Sequence, residues 1–191
     1  MKVGLFFGSF NPIHQGHLMI ASYMVENTDL DRIWFVVTPQ NPFKKRPSLA
    51  HENDRFEMVD LATRDDYRFF PSDVEFNMPR PSYTIDTLVR LHERYPQRDF
   101  ALIMGTDTLI SVPKWKNSHK LLENYHIYTY PRHKSPADEL KDRDNIRFTA
   151  APRVEISASF IRESLKEGKS VRYFVPDAVY EFIDKWGIYL T

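Results

Sequence analysis

The chain has 191 residues, 26 basic and 26 acidic side chains, and no cysteine. The absence of cysteine excludes a disulfide framework, thiolate metal sites and a cysteine nucleophile, and the balanced charge argues against a general nucleic-acid binder. No apolar run approaches the roughly 20 residues that span a bilayer, and the opening MKVGLFF is too short for a secretory signal. We therefore expect a cytoplasmic protein, with no membrane or nucleic-acid partner, that forms a single domain over residues 1–191.

Short apolar runs alternate along the chain with segments of helical periodicity. The pattern predicts strands at Lys2–Phe7, Arg32–Thr38, Asp99–Met104 and His126–Tyr130, and an extended segment at Tyr67–Phe76 that is broken by Pro71. It also predicts helices after His17, over Ser48–Arg64 (with Phe56, Val59 and Ala62 inward) and over Thr84–Tyr95. This alternation predicts an α/β fold with a doubly wound parallel sheet, in which ligands bind outside the carboxyl ends of the strands. Residues 132–145 match no pattern and are expected to be a variable surface segment.

The first unusual segment, GSFNPIHQGH, follows the first predicted strand and enters a helix. His14 and His17 are three residues apart and face the same way. Exposed amides at a helix start attract anions, imidazole donors strengthen such a site, and Gly16 lets a ligand approach the backbone. A packed or solvated histidine pair is the alternative for this segment taken alone. A metal site on H-x-x-H would need a third ligand, and none stands nearby.

The second unusual segment, ISASFIR, begins a helix that is expected to run to Lys166 and to end at Gly168. Ser157 or Ser159 is a suitable N-cap. An open helix start with hydroxyls, and a guanidinium one turn later at Arg162, forms a second candidate anion site. An ordinary capped helix with a surface arginine is the alternative for this segment alone.

Both segments resemble motifs of the HxGH nucleotidyltransferase superfamily, G-[TS]-F-[DN]-P-x-H-x-G-H and IS-x-[TS]-x-I-R. The resemblance implies a Rossmann-like nucleotidyltransferase fold in which the two segments converge on ATP phosphates. It assigns catalytic roles to His14, His17 and Arg162, and it assigns ATP binding to Gly8, Ser9, Phe10, Gly16, Gly105, Asp107, Ser157 and Ser159.

Three further blocks resemble the nicotinate mononucleotide branch of that superfamily: P-x-N-x-P-x-[KH], P-S-Y-T-x-x-T-L and G-x-D-x-L…P-x-W. They assign mononucleotide binding to Asn41, Lys44, Tyr83, Thr84, Trp115 and Lys116. From the residues alone, the first block is a basic turn, the second is a helix start capped by Ser82 or Thr84, and a lone tryptophan could simply fill the core. In the branch, the tryptophan stacks on the pyridine ring and amides at the positions of Thr84 and Lys116 hold the ring carboxylate.

The resemblance implies adenylyl transfer from ATP to nicotinate mononucleotide, which gives deamido-NAD and pyrophosphate. Mg²⁺ would be carried mainly by ATP, with no protein metal site, and a homo-oligomer is left open. Nicotinamide mononucleotide or phosphopantetheine adenylyltransferases are the alternatives within the superfamily. An ATP-binding sensor that retains the pocket without turnover is the alternative outside enzymes.

Overall fold

The fold is described from a computed structural model over residues 1–39, 49–132 and 138–190, with the side chains of 138 and 139 excepted. The strands are β1 (Lys2–Gly8), β2 (Arg32–Val37), β3 (Phe69–Ser72), β4 (Asp99–Gly105), β5 (Ile127–Tyr130) and β6 (Ile146–Phe148). The helices are α1 (Gln15–Asn27), α2 (Glu52–Thr63), α3 (Thr84–Arg94), α4 (Thr106–Leu109), α5 (Ser118–Asn124), α6 (Asp138–Lys141), α7 (Ala158–Lys166) and α8 (Asp177–Trp186), with a 3₁₀ turn at Val112–Lys114.

The six strands form one parallel sheet in the order β3-β2-β1-β4-β5-β6. The chain leaves β1 toward one edge of the sheet and returns to β4 on its other side, so the strand order reverses between β1 and β4. This reversal opens a crevice at the carboxyl ends of the strands, where doubly wound sheets bind ligands. The predicted α/β class and parallel sheet are confirmed.

Alternate residues of each central strand enter hydrophobic cores on opposite faces of the sheet. In β2, for example, Phe35 packs with α1, α2, α7 and α8, while Trp34 packs with α3 and α5 on the other face. This period of two follows from the pleat of a strand that is covered on both faces. The helices of both layers therefore hold the carboxyl ends of β1 and β4 in fixed positions.

One expectation about local structure needs correction. Pro71 does not break the extended segment but pairs with Phe35 inside β3, because β3 is an edge strand and the missing N–H of a proline is tolerated there. The inward positions predicted for α2 are confirmed, since Val59 is buried in the core and Phe56 and Ala62 pack against it. The segment 132–145 includes helix α6 and precedes strand β6.

No helix among the described residues is long and apolar enough to cross a membrane.

Candidate active site

A cavity of about 600 Å³ opens at the carboxyl ends of the central strands. Its volume lies within the range of about 300–1,000 Å³ that small-molecule sites occupy. The predicted residues that line it are Gly8, Ser9, Phe10, His14, Gly16, His17, Tyr83, Thr84, Trp115, Lys116, Ser157 and Ser159. The two histidines and the late serine segment, about 140 residues apart in sequence, thus line one cavity, while their contact with ATP phosphates stays a prediction.

The loop between β1 and α1 is packed tightly before it reaches the histidines. Phe10 adopts a positive φ of 43° and is buried, and its ring approaches Gly8 so closely that a Cβ there would lie 2.8 Å from it. Gly8 is therefore needed to make room for this ring. The residue with a left-handed backbone conformation in this loop is Phe10 and not a glycine.

The two histidines lie at the start of α1 with their rings stacked, 3.7 Å between centroids. The His14 backbone N–H donates to Nδ1 of His17 at 3.3 Å. Since Nδ1 accepts this hydrogen bond, the neutral His17 ring carries its proton on Nε2 and presents a donor there. The ring of His14 is buried, and its Nδ1 has no hydrogen-bond partner among the described residues.

Both imidazoles are neutral at pH 7 when the cavity holds no anion. Burial lowers the pKa of His14 to about 4, and the nearby Arg132 guanidinium contributes to the decrease. Burial also holds the pKa of His17 well below its ordinary value, with smaller contributions from His14 and Arg132. A bound polyphosphate would raise the pKa of both histidines, because anions favour the protonated form of a nearby base.

At the start of α7, Ser157 is the N-cap, and its hydroxyl accepts a hydrogen bond from the Phe160 backbone N–H at 3.1 Å. Between the two serines proposed from sequence, the structure selects Ser157. The helix ends as predicted after Lys166, with Gly168 at a positive φ of 70°. The first turn of α7 therefore directs amides and hydroxyls toward the cavity that also contains the histidines.

Arg162 lies behind the β1–α1 loop and is not one of the residues that line the cavity. Its Nη1 donates to the Asn11 carbonyl oxygen at 2.7 Å, and its Nη2 donates to Ser159 Oγ at 3.3 Å. The guanidinium therefore ties α7 to the loop that carries the histidines. Its predicted contact with pyrophosphate stays a prediction.

The opposite wall of the cavity is built from the start of α3 and the turn after β4. Trp115 is half-buried, and its Nε1 donates to Ser111 Oγ at 3.0 Å. Lys116 forms a 2.7 Å ion pair with Asp86 on α3 and lies 5.0 Å from the centre of the Tyr83 ring. These contacts bring the two predicted mononucleotide blocks together across the mouth of the cavity.

The sequence suggested that Ser82 or Thr84 caps the start of α3, but neither residue does so. Tyr83 occupies the N-cap position without a side-chain cap, and the Ser82 hydroxyl instead donates to the Glu75 carboxylate at 3.0 Å. Thr87 donates to the other oxygen of Glu75 at 2.7 Å. Among the first amides of α3, that of Asp86 donates to the Tyr83 carbonyl oxygen at 2.9 Å, whereas the amides of Thr84 and Ile85 come too early in the helix to have an acceptor one turn before them.

Gly105 and Asp107 lie at the end of β4 beside the cavity but do not line it. A Cβ at Gly105 would lie 2.5 Å from Asp107 Oδ1 and 2.7 Å from Arg132 Cγ, so only glycine leaves room for these two side chains. Arg132 Nε lies 3.7 Å from the Asp107 carboxylate. The predicted contact of this turn with the nucleotide stays a prediction.

Several lining residues were missed by sequence reasoning, notably Thr38, Glu75, Arg80 and Arg132. Arg132 was assigned to a variable surface segment, yet it faces the cavity close enough to lower the pKa of both histidines. The signal was present, since Arg132 follows the end of β5 and the carboxyl ends of parallel strands are where ligands bind. The predicted residues Asn41 and Lys44 lie outside the described residues.

A parallel sheet of this order, with a cavity at its point of reversal, defines a protein of the Rossmann-like α/β class. The chain matches the family model described as cytidylyltransferase-like over residues 5–164, and it belongs to that family. It is 52% identical over 96% of its length to a protein of Cytophaga hutchinsonii (95% of that protein) and 50% identical over 99% to one of Flavobacterium johnsoniae (99% of that protein). Both relatives are named probable nicotinate-nucleotide adenylyltransferase, and the chain belongs with them in this branch of the family.

Solved structures share the fold at much lower identity. The nicotinic acid mononucleotide adenylyltransferase of Plasmodium falciparum complexed with NaAD superimposes with a TM-score of 0.82 at 21% identity, covering 98% of this chain and 97% of that one. The same enzyme complexed with APC gives a TM-score of 0.80 at 21% identity, covering 98% and 96%. This likeness shows that the Rossmann-like arrangement is retained where most side chains differ.

Proposed function

We propose that the protein transfers the adenylyl group of ATP to nicotinate mononucleotide, giving deamido-NAD and pyrophosphate in NAD biosynthesis. One observation carries this proposal: the histidine loop and the start of α7 share a single cavity with the α3–Trp115 wall. The loop that carries His14 and His17, together with the start of α7, suits a polyphosphate. The wall formed by the start of α3 and Trp115 suits an aromatic ring with an anionic substituent. The two substrates would then meet between them. We place this activity in one nucleotidyltransferase domain over residues 1–191.

The reaction needs no protein nucleophile. An oxygen of the mononucleotide 5′-phosphate attacks the α-phosphorus of ATP in line, one P–O bond forms, and the bond to the β-phosphate bridging oxygen breaks as pyrophosphate leaves. Because the attacking oxygen is already anionic, catalysis consists of alignment and of stabilising the charge that develops on the phosphoryl oxygens.

Different residues of the cavity are assigned to different parts of the two substrates. We assign His17 Nε2 to the α-phosphoryl oxygens, and His14 to the leaving pyrophosphate, with the α7 amides and Arg132 beside it. Arg162 holds the β1–α1 loop through the Asn11 carbonyl, and its direct contact with pyrophosphate remains part of the proposal. On the opposite wall, Trp115 stacks on the pyridine ring while the amides of Thr84 and Lys116 receive its carboxylate.

Nucleotidyltransferases of this family generally use a divalent metal ion with ATP. We propose that this ion is Mg²⁺ and that it arrives bound to the phosphates and water, the partners it prefers. Within residues 1–39, 49–132 and 138–190, no group of three or more histidine, aspartate or glutamate side chains is placed to hold a metal. The amide oxygen of Asn11, in the histidine loop, already accepts hydrogen bonds from Tyr189 and from the Ala50 N–H. No step is assigned to a protein-held ion.

The decisive experiment measures pyrophosphate release with ATP and, in turn, nicotinate mononucleotide, nicotinamide mononucleotide and phosphopantetheine. We expect turnover on nicotinate mononucleotide and a marked preference for it over the amide. A preference for the amide or for phosphopantetheine would refute the assigned substrate. ATP binding without pyrophosphate release on any of the three would instead identify a sensor.

A further inference from the structure

Arg55 on α2 is almost completely buried, with 1% of its surface exposed. Its Nη1 donates to the carbonyl oxygens of Ser9 (2.6 Å) and Thr38 (2.9 Å), its Nη2 to that of Pro39 (3.1 Å), and its Nε to that of Ala50 (3.0 Å). Four backbone carbonyls from three separate segments therefore meet on one guanidinium. The planar fork of an arginine provides this geometry, and a lysine ammonium cannot reproduce it.

These carbonyls belong to walls of the cavity. Ser9 is part of the loop that carries the histidines, and Thr38 and Pro39 follow β2; all three line the cavity. The Thr38 side chain lies close enough to Glu75 to oppose the rise that burial causes in the pKa of this carboxyl, and Glu75 accepts the hydroxyl of Ser82 at 3.0 Å. A chain of neighbouring residues thus runs from the β1–α1 loop, through Arg55, Thr38 and Glu75, to the start of α3.

The hydrogen bonds described for Arg55 all end on neutral backbone carbonyls. An apolar side chain would leave these buried carbonyls without a donor, so the guanidinium holds three segments of the chain together at one point. A cation at this place also attracts the anionic substrates of the adjoining cavity.

We infer that Arg55 is a positioning residue that couples the two substrate sites, so that ATP bound at the histidine loop strengthens binding of the mononucleotide at the α3 wall. The coupling acts through the shared carbonyls: a phosphate that fixes the Ser9 segment also fixes Thr38, and with it Glu75 and the first turn of α3. This inference rests on the proposed pair of substrates. It adds a communication between their sites that neither motif predicts.

The test measures the affinity of nicotinate mononucleotide by calorimetry with and without saturating α,β-methylene-ATP, whose α–β linkage cannot be cleaved by the reaction. In the unmodified protein we expect the analogue to strengthen mononucleotide binding by about fivefold or more, the usual lower range of coupling between sites. In Arg55→Met and Arg55→Lys this factor should fall close to one. Arg64→Met is the matched control, because Arg64 lies at the end of the same helix with an exposed ion pair to Asp60, and it should keep the full factor.

A merely structural role would leave a different signature. If Arg55→Met and Arg55→Lys lose affinity for each ligand separately but keep the coupling factor, or if the unmodified protein shows no coupling, the inference is overturned. Should Arg55→Met fail to fold, Arg55→Lys and the recovery of coupling in Arg55→Ala on addition of guanidinium still decide the matter. Failure of the proposed function is distinguishable, since it would appear as no mononucleotide binding or no pyrophosphate release in the unmodified protein.

Discussion

The hydroxyl of Tyr189, after the last helix, donates a 2.7 Å hydrogen bond to the side-chain oxygen of Asn11, 178 residues earlier in the chain. Asn11 is completely buried. Its side-chain oxygen also accepts the Ala50 N–H, and its carbonyl accepts Arg162. One asparagine thus joins the loop between β1 and α1, residues 9–14, to three distant parts of the fold, which explains how this loop keeps a fixed shape.

Replacing Tyr189 with Phe should therefore lower the free energy of unfolding by about 1–2 kcal/mol, because a buried hydrogen bond is lost while the ring is retained. Urea denaturation measures this difference. The control is Tyr173→Phe, since Tyr173 is 90% exposed and its hydroxyl should contribute less than about 0.5 kcal/mol. Equal effects of the two substitutions would show that the hydrogen bond to Asn11 does not hold the loop.

Replacing His17 with Ala should reduce turnover by about 10²–10³-fold, the range for one lost donor that stabilises developing charge. The reason is geometric: the His14 N–H fixes the ring so that Nε2 is the donor. Steady-state kinetics with both substrates measure the effect. His119→Ala, at an exposed position of helix α5, should leave turnover unchanged. A variant that loses only affinity, with full turnover, would remove His17 from the chemical step.

Stability should decrease as the pH falls below neutral, and His14 should cause part of the decrease. Its folded-state pKa is lowered to about 4 from an ordinary value of 6.5, so the unfolded chain binds the proton first and protonation favours unfolding. The expected contribution is a loss of about 2 kcal/mol in the free energy of unfolding between pH 7 and pH 5.

Denaturation of the unmodified protein and of His14→Asn at pH 7, 6 and 5 isolates this contribution, because the other titrating groups are common to both. The variant should show the flatter dependence. A saturating ATP analogue should flatten the dependence of the unmodified protein as well, since a bound anion favours protonated His14. Parallel curves for the two proteins would contradict the buried, neutral state assigned to this ring.

Replacing Trp115 with Ala should raise the KM for nicotinate mononucleotide by about tenfold through loss of ring stacking, with little change in the KM for ATP. Trp186→Ala is the matched control, since Trp186 is 64% exposed on α8 and does not line the cavity. A change confined to ATP would place the nucleotide, not the pyridine ring, against Trp115.

The sequence by itself determined the parallel α/β fold, the two motifs shared with the HxGH nucleotidyltransferase superfamily and their order, and the block around Trp115. These features are local. A strand that ends in a glycine, a histidine pair, and a serine at a helix start can each be recognised in a short stretch of consecutive residues. That His17 and Ser157 would lie close together was implied by the resemblance to the HxGH superfamily, because only the histidine segment followed a predicted strand.

Only the tertiary structure decided which side chains hold these motifs in place. Arg55 donates to the backbone carbonyl of Ser9, and Tyr189 donates to the side-chain amide of Asn11, both far away in the chain. Such contacts produce no periodicity and no motif in the sequence. Arg132 became a candidate site residue only when the end of β5 was placed beside β4. The sequence also could not predict that His14 and His17 are neutral, because their lowered pKa values follow from burial and from the Arg132 guanidinium that folding places near them.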